Sequence, residues 1–232
     1  MENSLVVRLA CESDVEQIRQ IYRPFVETNS VSFEAEFPGH DAFVDRVVTL
    51  LKTLPWLVAV DFTREEPSAR EFEEKPTTAG GRVRGFAYAA PHRARAAYQW
   101  SVEASAYVEP SRHRSGVGRL LYQHLFSILA RQGFVTAYAG ITLPNPRSVG
   151  FHESVGFSPL AVYRHVGFKL GSWHDVGWWE RQIQEPPLEP RAPIPLPEIS
   201  DALAPCASVF ERVTGSHDTS RGQEDDSSPG GS

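Results

Sequence analysis

The chain has 232 residues, of which 41% are hydrophobic, and a formal net charge of −6 at pH 7. This length suffices for one domain of ordinary size with a real core, together with an appendage. The charge comes from residues 185–232, which hold three arginines and nine acidic residues, whereas residues 1–184 hold 20 residues of each sign. A balanced main part argues against nucleic acid as a partner. Apolar runs such as Trp56–Val60 are far too short to cross a bilayer, so no membrane partner is expected.

Cysteine usage and the N-terminal sequence favour a reducing compartment. Cys11 and Cys206 lie far apart in the sequence, so a disulfide framework is not expected. The first 14 residues lack the basic region and long apolar segment of a secretory signal. We therefore expect a cytoplasmic protein.

Hydrophobic periodicity predicts that strands and helices are mixed along residues 4–183. Apolar residues at period two indicate strands, and apolar residues that recur every three or four positions indicate helices. The predicted strands are Ser4–Ala10, Trp56–Phe62, Val83–Ala90, Trp100–Val108, Phe134–Ile141, Phe157–Phe168 and Trp173–Ile183. The predicted helices are Ser13 to about Phe25, about His40 to Leu54, Gly118 to Gln132, and a short helix after Asn145 that ends near Val155. This order mixes an antiparallel meander with one βαβ unit and predicts a mixed sheet flanked by helices.

Composition marks the boundaries of these elements. Ser13 and Glu16 have the spacing of a capping box for the first helix. Residues 63–81 are charged and lack an apolar period, which predicts a long hairpin-loop insertion. From residue 185 on, the chain is rich in Pro and then in Ser, Asp and Gly. We therefore expect one domain at residues 1–184 and a disordered acidic tail at residues 185–232.

The stretch Trp100–Gly118 carries the most functional information. Its alternating strand leads into the loop Arg112-His113-Arg114-Ser115-Gly116-Val117-Gly118, and an amphipathic helix follows at once. Glycines let backbone N–H groups approach a ligand closely, and the N-terminus of a helix adds partial positive charge. This combination predicts a site for a pyrophosphate.

The loop resembles the R/Q-x-x-G-x-G/A loop with which N-acetyltransferases of the GNAT superfamily hold the pyrophosphate of acetyl-CoA, with His113 in a place usually held by Gln or Arg. More narrowly, the chain resembles the phosphinothricin N-acetyltransferase family over residues 4–184. The matching stretches are Glu27–Phe33, Pro55–Ala59, Phe86–Ala89, Gly133-Phe134, Ile141–Asn145, His152–Phe157 and Gly167–Trp179. The last of them contains the specific run Trp-His-Asp-Val-Gly. The resemblance implies an α+β (α/β sandwich) GNAT fold, with a mixed central sheet flanked by helices.

The resemblance also implies direct attack of an amine on the acetyl-CoA thioester, with Glu103 as the general base that takes the amine proton. From the residues alone, a solvent-facing Glu on an edge strand is the alternative. His152 stands where many GNAT enzymes carry a tyrosine general acid, and the family has His there. An imidazole can serve as acid or base near neutral pH, although a packed histidine on a short helix is the alternative. The sequence does not decide which of the two is the main base.

Cofactor-binding residues follow from the same resemblance. The strand backbone at Ser105, Ala106 and Tyr107 is expected to pair with the pantetheine amides, and the pyrophosphate is expected at His113, Arg114, Ser115, Gly116, Val117 and Gly118. Asn145 is expected to hydrogen-bond the pantetheine arm. It is also well placed as a plain helix cap, and both roles are compatible.

An acceptor pocket is implied near the loop at residues 88–98. Arg93 and Arg95 match family positions there, and guanidinium forks suit carboxylate oxygens. Phe33, Tyr88 and Tyr98 are its expected walls, with Tyr107 beside them. A solvated loop charge or a packed core ring is the alternative for each of these residues. The histidines show no ligand spacing, so no metal site is expected.

We therefore expect an N-acetyltransferase that uses acetyl-CoA and acts on the α-amino group of a small amino acid or analogue, such as phosphinothricin, methionine sulfoximine or methionine sulfone. Two alternatives remain open. One is an enzyme for peptide or protein amines, which would need an open groove, and the other is an acyl-CoA-binding module without catalysis. The family also implies a homodimer, in which Trp173, His174 and Asp175 would have a structural or interfacial role.

Overall fold

A computed structural model of the chain describes residues 5–62 and 81–202, with side chains up to Ile199. Seven strands form one sheet in the order β1-β2-β3-β4-β5-β7-β6. The strands are β1 Leu5–Leu9, β2 Trp56–Asp61, β3 Arg82–Pro91, β4 Ser101–Val108, β5 Thr136–Leu143, β6 Ser158–Lys169 and β7 Ser172–Gln182. The α-helices are α1 Val15–Glu27, α2 His40–Leu51, α3 Val117–Gln132 and α4 Pro146–Ser154. The fold is α+β, as the sequence predicts.

One parallel pair interrupts an otherwise antiparallel sheet. β4 and β5 run parallel, and every other neighbouring pair is antiparallel. A parallel pair needs a crossover, and α3 supplies it between β4 and β5. The βαβ unit therefore sits in the middle of the sheet and brings the N-terminus of α3 to the end of β4.

Alternating side chains of the central strands build two cores, one on each face of the sheet. On β2, Trp56, Val58 and Val60 pack with α1 and α2, whereas Leu57 and Ala59 pack with α3 on the other face. All five residues are almost fully buried. Both faces of β2 are covered because helices lie on each side of the sheet, which explains its continuous apolar sequence.

The capping box expected from Ser13 and Glu16 was wrong. A 3₁₀ turn, Glu12–Asp14, precedes α1, and the reciprocal cap is formed by Cys11 and Asp14. The Cys11 backbone N–H donates to Asp14 Oδ2 over 2.9 Å. Asp14 is buried and also accepts from both terminal nitrogens of the Arg8 guanidinium. The α-helix itself begins at Val15, directly after this 3₁₀ turn.

The domain continues past the boundary expected at residue 184. Gln132 at the end of α3 donates its side-chain amide to the Thr53 and Ile194 carbonyls, at 2.7 and 2.8 Å. Ile194 N–H returns a bond to the Gln132 carbonyl, and Leu196 is buried in the core beside α3. A tail that begins at 185 was therefore the wrong boundary for the described residues 185–199. The remaining tail and the insertion expected at 63–81 lie outside the described residues, apart from Gly81.

None of the helices in the described ranges is both long enough and apolar enough to span a bilayer.

Candidate active site

A gap between β4 and β5 dominates the middle of the sheet. The two strands pair at three positions only, of which the last joins Glu103 to Tyr138. Beyond that pair β4 continues to Val108 and β5 to Leu143 without pairing to each other. Within the described residues, no strand pairs with the edge of β4 that faces β5 from residue 104 to residue 108, so its backbone donors and acceptors are open to an extended ligand. Ser105, Ala106 and Tyr107 lie on this edge.

The N-terminus of α3 has the features of an anion site. Leu120 N–H makes the first helical bond, to the Gly116 carbonyl. Within the described residues, no acceptor faces the N–H groups of Val117, Gly118 and Arg119. The N-terminal partial charge of a 16-residue helix adds to these three free donors. The preceding residues 113–116 are exposed, so a charged ligand can reach this end of the helix.

Two positions of the loop require glycine, for different physical reasons. Gly116 has a φ of 86°, which is strained for other residues, and open space where a Cβ would stand. Gly118 sits in the first turn of α3, where a Cβ would come within 3.1 Å of the Phe151 ring of α4. Gly116 therefore lets the loop turn into the helix, and Gly118 lets α3 and α4 approach closely.

A buried ionic network fixes this loop to the sheet. Asp61 at the end of β2 accepts from Arg84 Nε at 3.2 Å and from Arg112 of the loop at 2.8 Å. Glu109 accepts from Arg82 and from Arg84. Burial raises the pKa of Glu109, but hydrogen bonds, with that from Ser111 the largest, outweigh burial and leave the pKa lowered. This network could not be predicted from the sequence, because its members come from three separate elements.

Glu103 lies where the gap closes, and two donors hold one of its oxygens. His92 Nδ1 is 3.0 Å from Glu103 Oε1, and Arg93 Nη1 is 3.3 Å from the same oxygen. The Glu103 side chain is 35% exposed, so it is open to solvent or to a substrate. His92 was not predicted as a site residue, although Arg93 and Arg95 of the same connection were.

His152 lies in the opposite environment. It is buried, its Nδ1 is 2.7 Å from the Ser148 carbonyl, and its Nε2 is 3.0 Å from the Tyr122 hydroxyl. A carbonyl only accepts, so Nδ1 carries the proton and Nε2 accepts from Tyr122. Burial lowers the pKa of His152, and the Ser148 bond opposes this only in part. Burial also raises the pKa of Tyr122 far above its ordinary range, so the hydroxyl keeps its proton.

Asn145 serves as the N-cap of α4. Its side-chain oxygen accepts from Ser148 N–H at 3.1 Å, and Pro146 occupies the first helical position. The cap leaves the side-chain NH₂ group of Asn145 available to a ligand.

The residues expected around the acceptor fall into two groups. Arg93 and Tyr98 lie close to Glu103, since Arg93 binds its carboxylate and the Tyr98 ring is 6.1 Å from the His92 ring. Arg95 is exposed on the same connection. Phe33 instead packs on Gly167 of β6, with its ring 6.2 Å from His174.

Tyr88 forms part of an open cavity of about 530 Å³ between α2 and β3. Arg46 of α2 also lines this cavity, and so does Ala90, which pairs with Glu103 across the β3–β4 ladder. Tyr88 stacks on Trp56 at 4.3 Å, and burial raises the pKa of its hydroxyl. The cavity thus adjoins the strand position that carries Glu103.

Trp173, His174 and Asp175 stabilise the β6–β7 hairpin. Asp175 accepts from His165 N–H at 2.7 Å, and His174 Nε2 is 3.0 Å from the Lys169 carbonyl. Trp173 is exposed and packs against Phe168. In the part of the chain that the structure describes, no three His, Cys, Asp or Glu side chains are grouped as metal ligands would be.

The sequence is similar to those of known acetyltransferases. Residues 77–178 match the acetyltransferase (GNAT) domain. A phosphinothricin N-acetyltransferase of Streptomyces viridochromogenes is 37% identical over 193 residues, which are 83% of this chain and 95% of that protein. A Salmonella typhimurium L-methionine sulfoximine/L-methionine sulfone acetyltransferase is 34% identical over 105 residues, 45% of this chain and 61% of that protein.

A solved acetyltransferase structure has a similar fold. The crystal structure of a GNAT superfamily phosphinothricin acetyltransferase from Sinorhizobium meliloti in complex with AcCoA superposes with a TM-score of 0.67 at 27% identity, covering 81% of this chain and 95% of that one. The fold, the gap beside β4 and the matched domain define an acetyl-CoA-dependent N-acetyltransferase of the GNAT class. Within that class, the chain belongs to the phosphinothricin N-acetyltransferase family. The resemblance predicted from the sequence is confirmed.

Proposed function

We propose that the protein transfers the acetyl group of acetyl-CoA to the α-amino group of a small amino acid or analogue, of the phosphinothricin, methionine sulfoximine or methionine sulfone type. The observation that carries the proposal is the position of Glu103, a partly exposed carboxylate at the closed end of the β4–β5 gap. The names of the relatives in Streptomyces and Salmonella support the same chemistry.

The dimensions of the gap suit the cofactor. The free donors at the start of α3 lie beside the end of β4, since a Cβ on Gly118 would be 3.7 Å from the Val108 side chain. The five steps of strand from Val108 back to Glu103 span about 17 Å at 3.3–3.4 Å per residue. A pantetheine arm whose pyrophosphate sits at Val117 and Gly118 would therefore extend along β4 and bring its thioester near Glu103. We assign the arm to Ser105, Ala106, Tyr107 and the Asn145 amide, and the pyrophosphate to residues 113–118.

Glu103 then acts on the amine. The amine nitrogen must lose a proton before its lone pair can attack the thioester carbon, and the Glu103 carboxylate accepts that proton, directly or through one water. The new C–N bond forms as the C–S bond breaks, and the thiolate leaves with the electron pair of that bond. The second proton of the attacking nitrogen then neutralises the thiolate, which gives the neutral amide and the free thiol. The backbone of β4 and the loop before α3 hold the reacting groups in place, which lowers the entropic part of the barrier.

His152 remains a second candidate for proton transfer to the leaving thiolate. In the geometry described above its only N–H is bound to Ser148 and its other nitrogen is bound to Tyr122. A catalytic role would need one of these bonds to open when substrates bind. The contacts of Glu103 support it as the main base, whereas those of His152 fit a group that positions α4 against α3.

The acceptor is proposed to lie on the Glu103 side of the sheet. Arg93 and Arg95 would bind its carboxylate or second polar head, and Tyr98 would form one wall. Tyr88 and Phe33 would form the walls toward α2 and toward the β6–β7 hairpin. The connection at residues 92–98 supports a small acceptor more than a peptide, because its His92 and Arg93 side chains contact Glu103 and narrow the space beside it.

We also propose a homodimer formed through β6. This edge strand exposes five large apolar side chains, namely Leu160, Val162, Tyr163, Val166 and Phe168, each at 46% to 62%. Exposed apolar edge strands mark association surfaces. A second copy of the chain offers the same apolar strip, so two strips can bury one another about a two-fold axis. A cytoplasmic location stays a prediction from the two distant cysteines.

The substrate class is tested by following acetyl-CoA-dependent thiol release over a panel of amines. The panel contains phosphinothricin, methionine sulfoximine, methionine sulfone, free amino acids and short peptides. Turnover of the small α-amino compounds is the expected result. Turnover of peptides alone would move the substrate class to protein amines, and binding of acetyl-CoA without any turnover would indicate a binding module.

A further inference from the structure

We propose that His92 is a positioning residue for the general base: it donates its Nδ1–H to Glu103 Oε1 and so leaves Glu103 Oε2 aimed at the acceptor amine. The inference rests on the proposed function and adds a residue to it. Its starting point is the 3.0 Å contact between His92 Nδ1 and Glu103 Oε1.

The direction of this hydrogen bond follows from the chemistry of the partners. An ionised carboxylate can only accept, so Nδ1 must carry the proton. Arg93 Nη1 donates to the same oxygen at 3.3 Å. Within the described part of the chain, neither donor nor any other group binds Glu103 Oε2. One oxygen is therefore held by protein donors, and the other is left to take a proton.

Aromatic rings from three elements fix the orientation of the His92 ring. It stacks on Tyr138 of β5, with centroids 4.4 Å apart and planes 26° apart. Trp178 of β7 and Tyr98 meet it edge-on, at 6.0 and 6.1 Å. The His92 side chain is only 14% exposed. A ring held on three sides cannot easily turn its Nδ1 away from Glu103, so the hydrogen bond is preorganised.

The position of the pair in the sheet links it to the reaction. Glu103 and Tyr138 are the last residues that β4 and β5 pair before the gap opens. Tyr138 thus supports the His92 ring at the end of the gap where the thioester is proposed to lie. A carboxylate that rotates by one torsion there would lose contact with the amine, and a fixed Oε1 prevents this rotation.

The test compares His92→Phe with His92→Asn. Phenylalanine keeps a ring against Tyr138 but removes the donor, whereas asparagine restores an N–H donor near the place of Nδ1. Steady-state rates on phosphinothricin are measured at a fixed pH, and kcat is determined separately from KM for acetyl-CoA. Circular dichroism checks the fold of each variant, and calorimetry checks its affinity for acetyl-CoA.

His92→Phe is expected to lower kcat about tenfold, since a hydrogen bond to a charged group is lost. KM for acetyl-CoA should stay constant, and His92→Asn should recover most of the rate.

Three results would overturn the proposal. They are a wild-type rate in His92→Phe, an equal loss of kcat in both variants, and a loss that appears only as a higher KM for acetyl-CoA with kcat unchanged. If the wild type acetylates no amine, the proposed function fails by itself. The pairing is then tested by nitrogen NMR of the His92 ring, where a proton on Nδ1 supports it and a proton on Nε2 refutes it.

Discussion

Glu103 and His152 are both candidates for proton transfer, but their surroundings differ in exposure and in hydrogen bonding. Glu103 is partly exposed and keeps one oxygen without a protein partner in the described residues. His152 is buried, with both nitrogens bound. The sequence could single out both positions, because the family motif marks them. It could not rank them, because Tyr122 lies 30 residues away from His152 and His92 lies 11 residues away from Glu103.

The buried neutral state of His152 makes stability depend on pH. Burial lowers the pKa of His152 below its ordinary value of 6.5, so the unfolded chain takes up a proton at a pH where the folded chain does not. The contribution of His152 to stability is complete above pH 6.5 and is lost as the pH falls below it. Urea unfolding of the wild type between about pH 8 and pH 5 should show this decline.

The matched control is His152→Gln, whose side chain has no group that titrates in this range. Its stability should fall less steeply between the same two pH values. Parallel declines in the two proteins would show that His152 is not the group responsible.

At the scale of elements, alternation and helical spacing predicted every strand and α-helix of the described residues, with ends within a few positions. The residues of β2 and α3 carry their burial pattern in the sequence itself, because strand and helix periods are local properties. The cap before α1 was misplaced, since Cys11 and Asp14 form it rather than Ser13 and Glu16. The ionic anchoring of the loop at 109–116 was likewise invisible, because ion pairs between distant residues leave no periodic signal.

Gly150 and Gly116 form a matched pair that tests how backbone conformation determines the effect of alanine on stability. Gly150 lies in α4, is exposed and has open space around its Cα, so Gly150→Ala should raise the free energy of unfolding by about 0.5–1 kcal/mol. Gly116 has equally open space but a φ of 86°, so Gly116→Ala should lower the free energy of unfolding. It should also weaken acetyl-CoA binding, measured by calorimetry. A stabilising Gly116→Ala would contradict the assigned role of the turn.

At the scale of the whole molecule, two surfaces could not be predicted from local sequence patterns. Residues 185–199 pack against α3 through Gln132, and Trp100, just before β4, donates its indole N–H to the Arg191 carbonyl over 2.8 Å. The Pro-rich composition of this segment suggested disorder, because a segment held by backbone contacts has no hydrophobic period. The second surface is the apolar strip on β6, which lies at one edge of the sheet. The sequence pattern predicts a strand there but does not show that the strand is exposed.

The strip on β6 predicts association in solution. Light scattering after size exclusion should give twice the chain mass of 25.8 kDa. The double variant Leu160→Lys, Val162→Lys should shift the protein to the monomer mass, because charges placed on an apolar interface must be desolvated. Leu188→Lys, at a fully exposed position away from β6, is the control and should keep the wild-type mass. A monomeric wild type would refute the homodimer.

The proposed role of Glu103 is to take the proton of the amine. The most direct measurement is the rate of acetyl transfer to phosphinothricin by Glu103→Gln, which keeps the shape of the side chain and removes its charge. We expect kcat to fall by about 10²–10⁴-fold while the affinity for acetyl-CoA, measured by calorimetry, stays within about twofold. A variant that binds acetyl-CoA and turns over at the wild-type rate would contradict it.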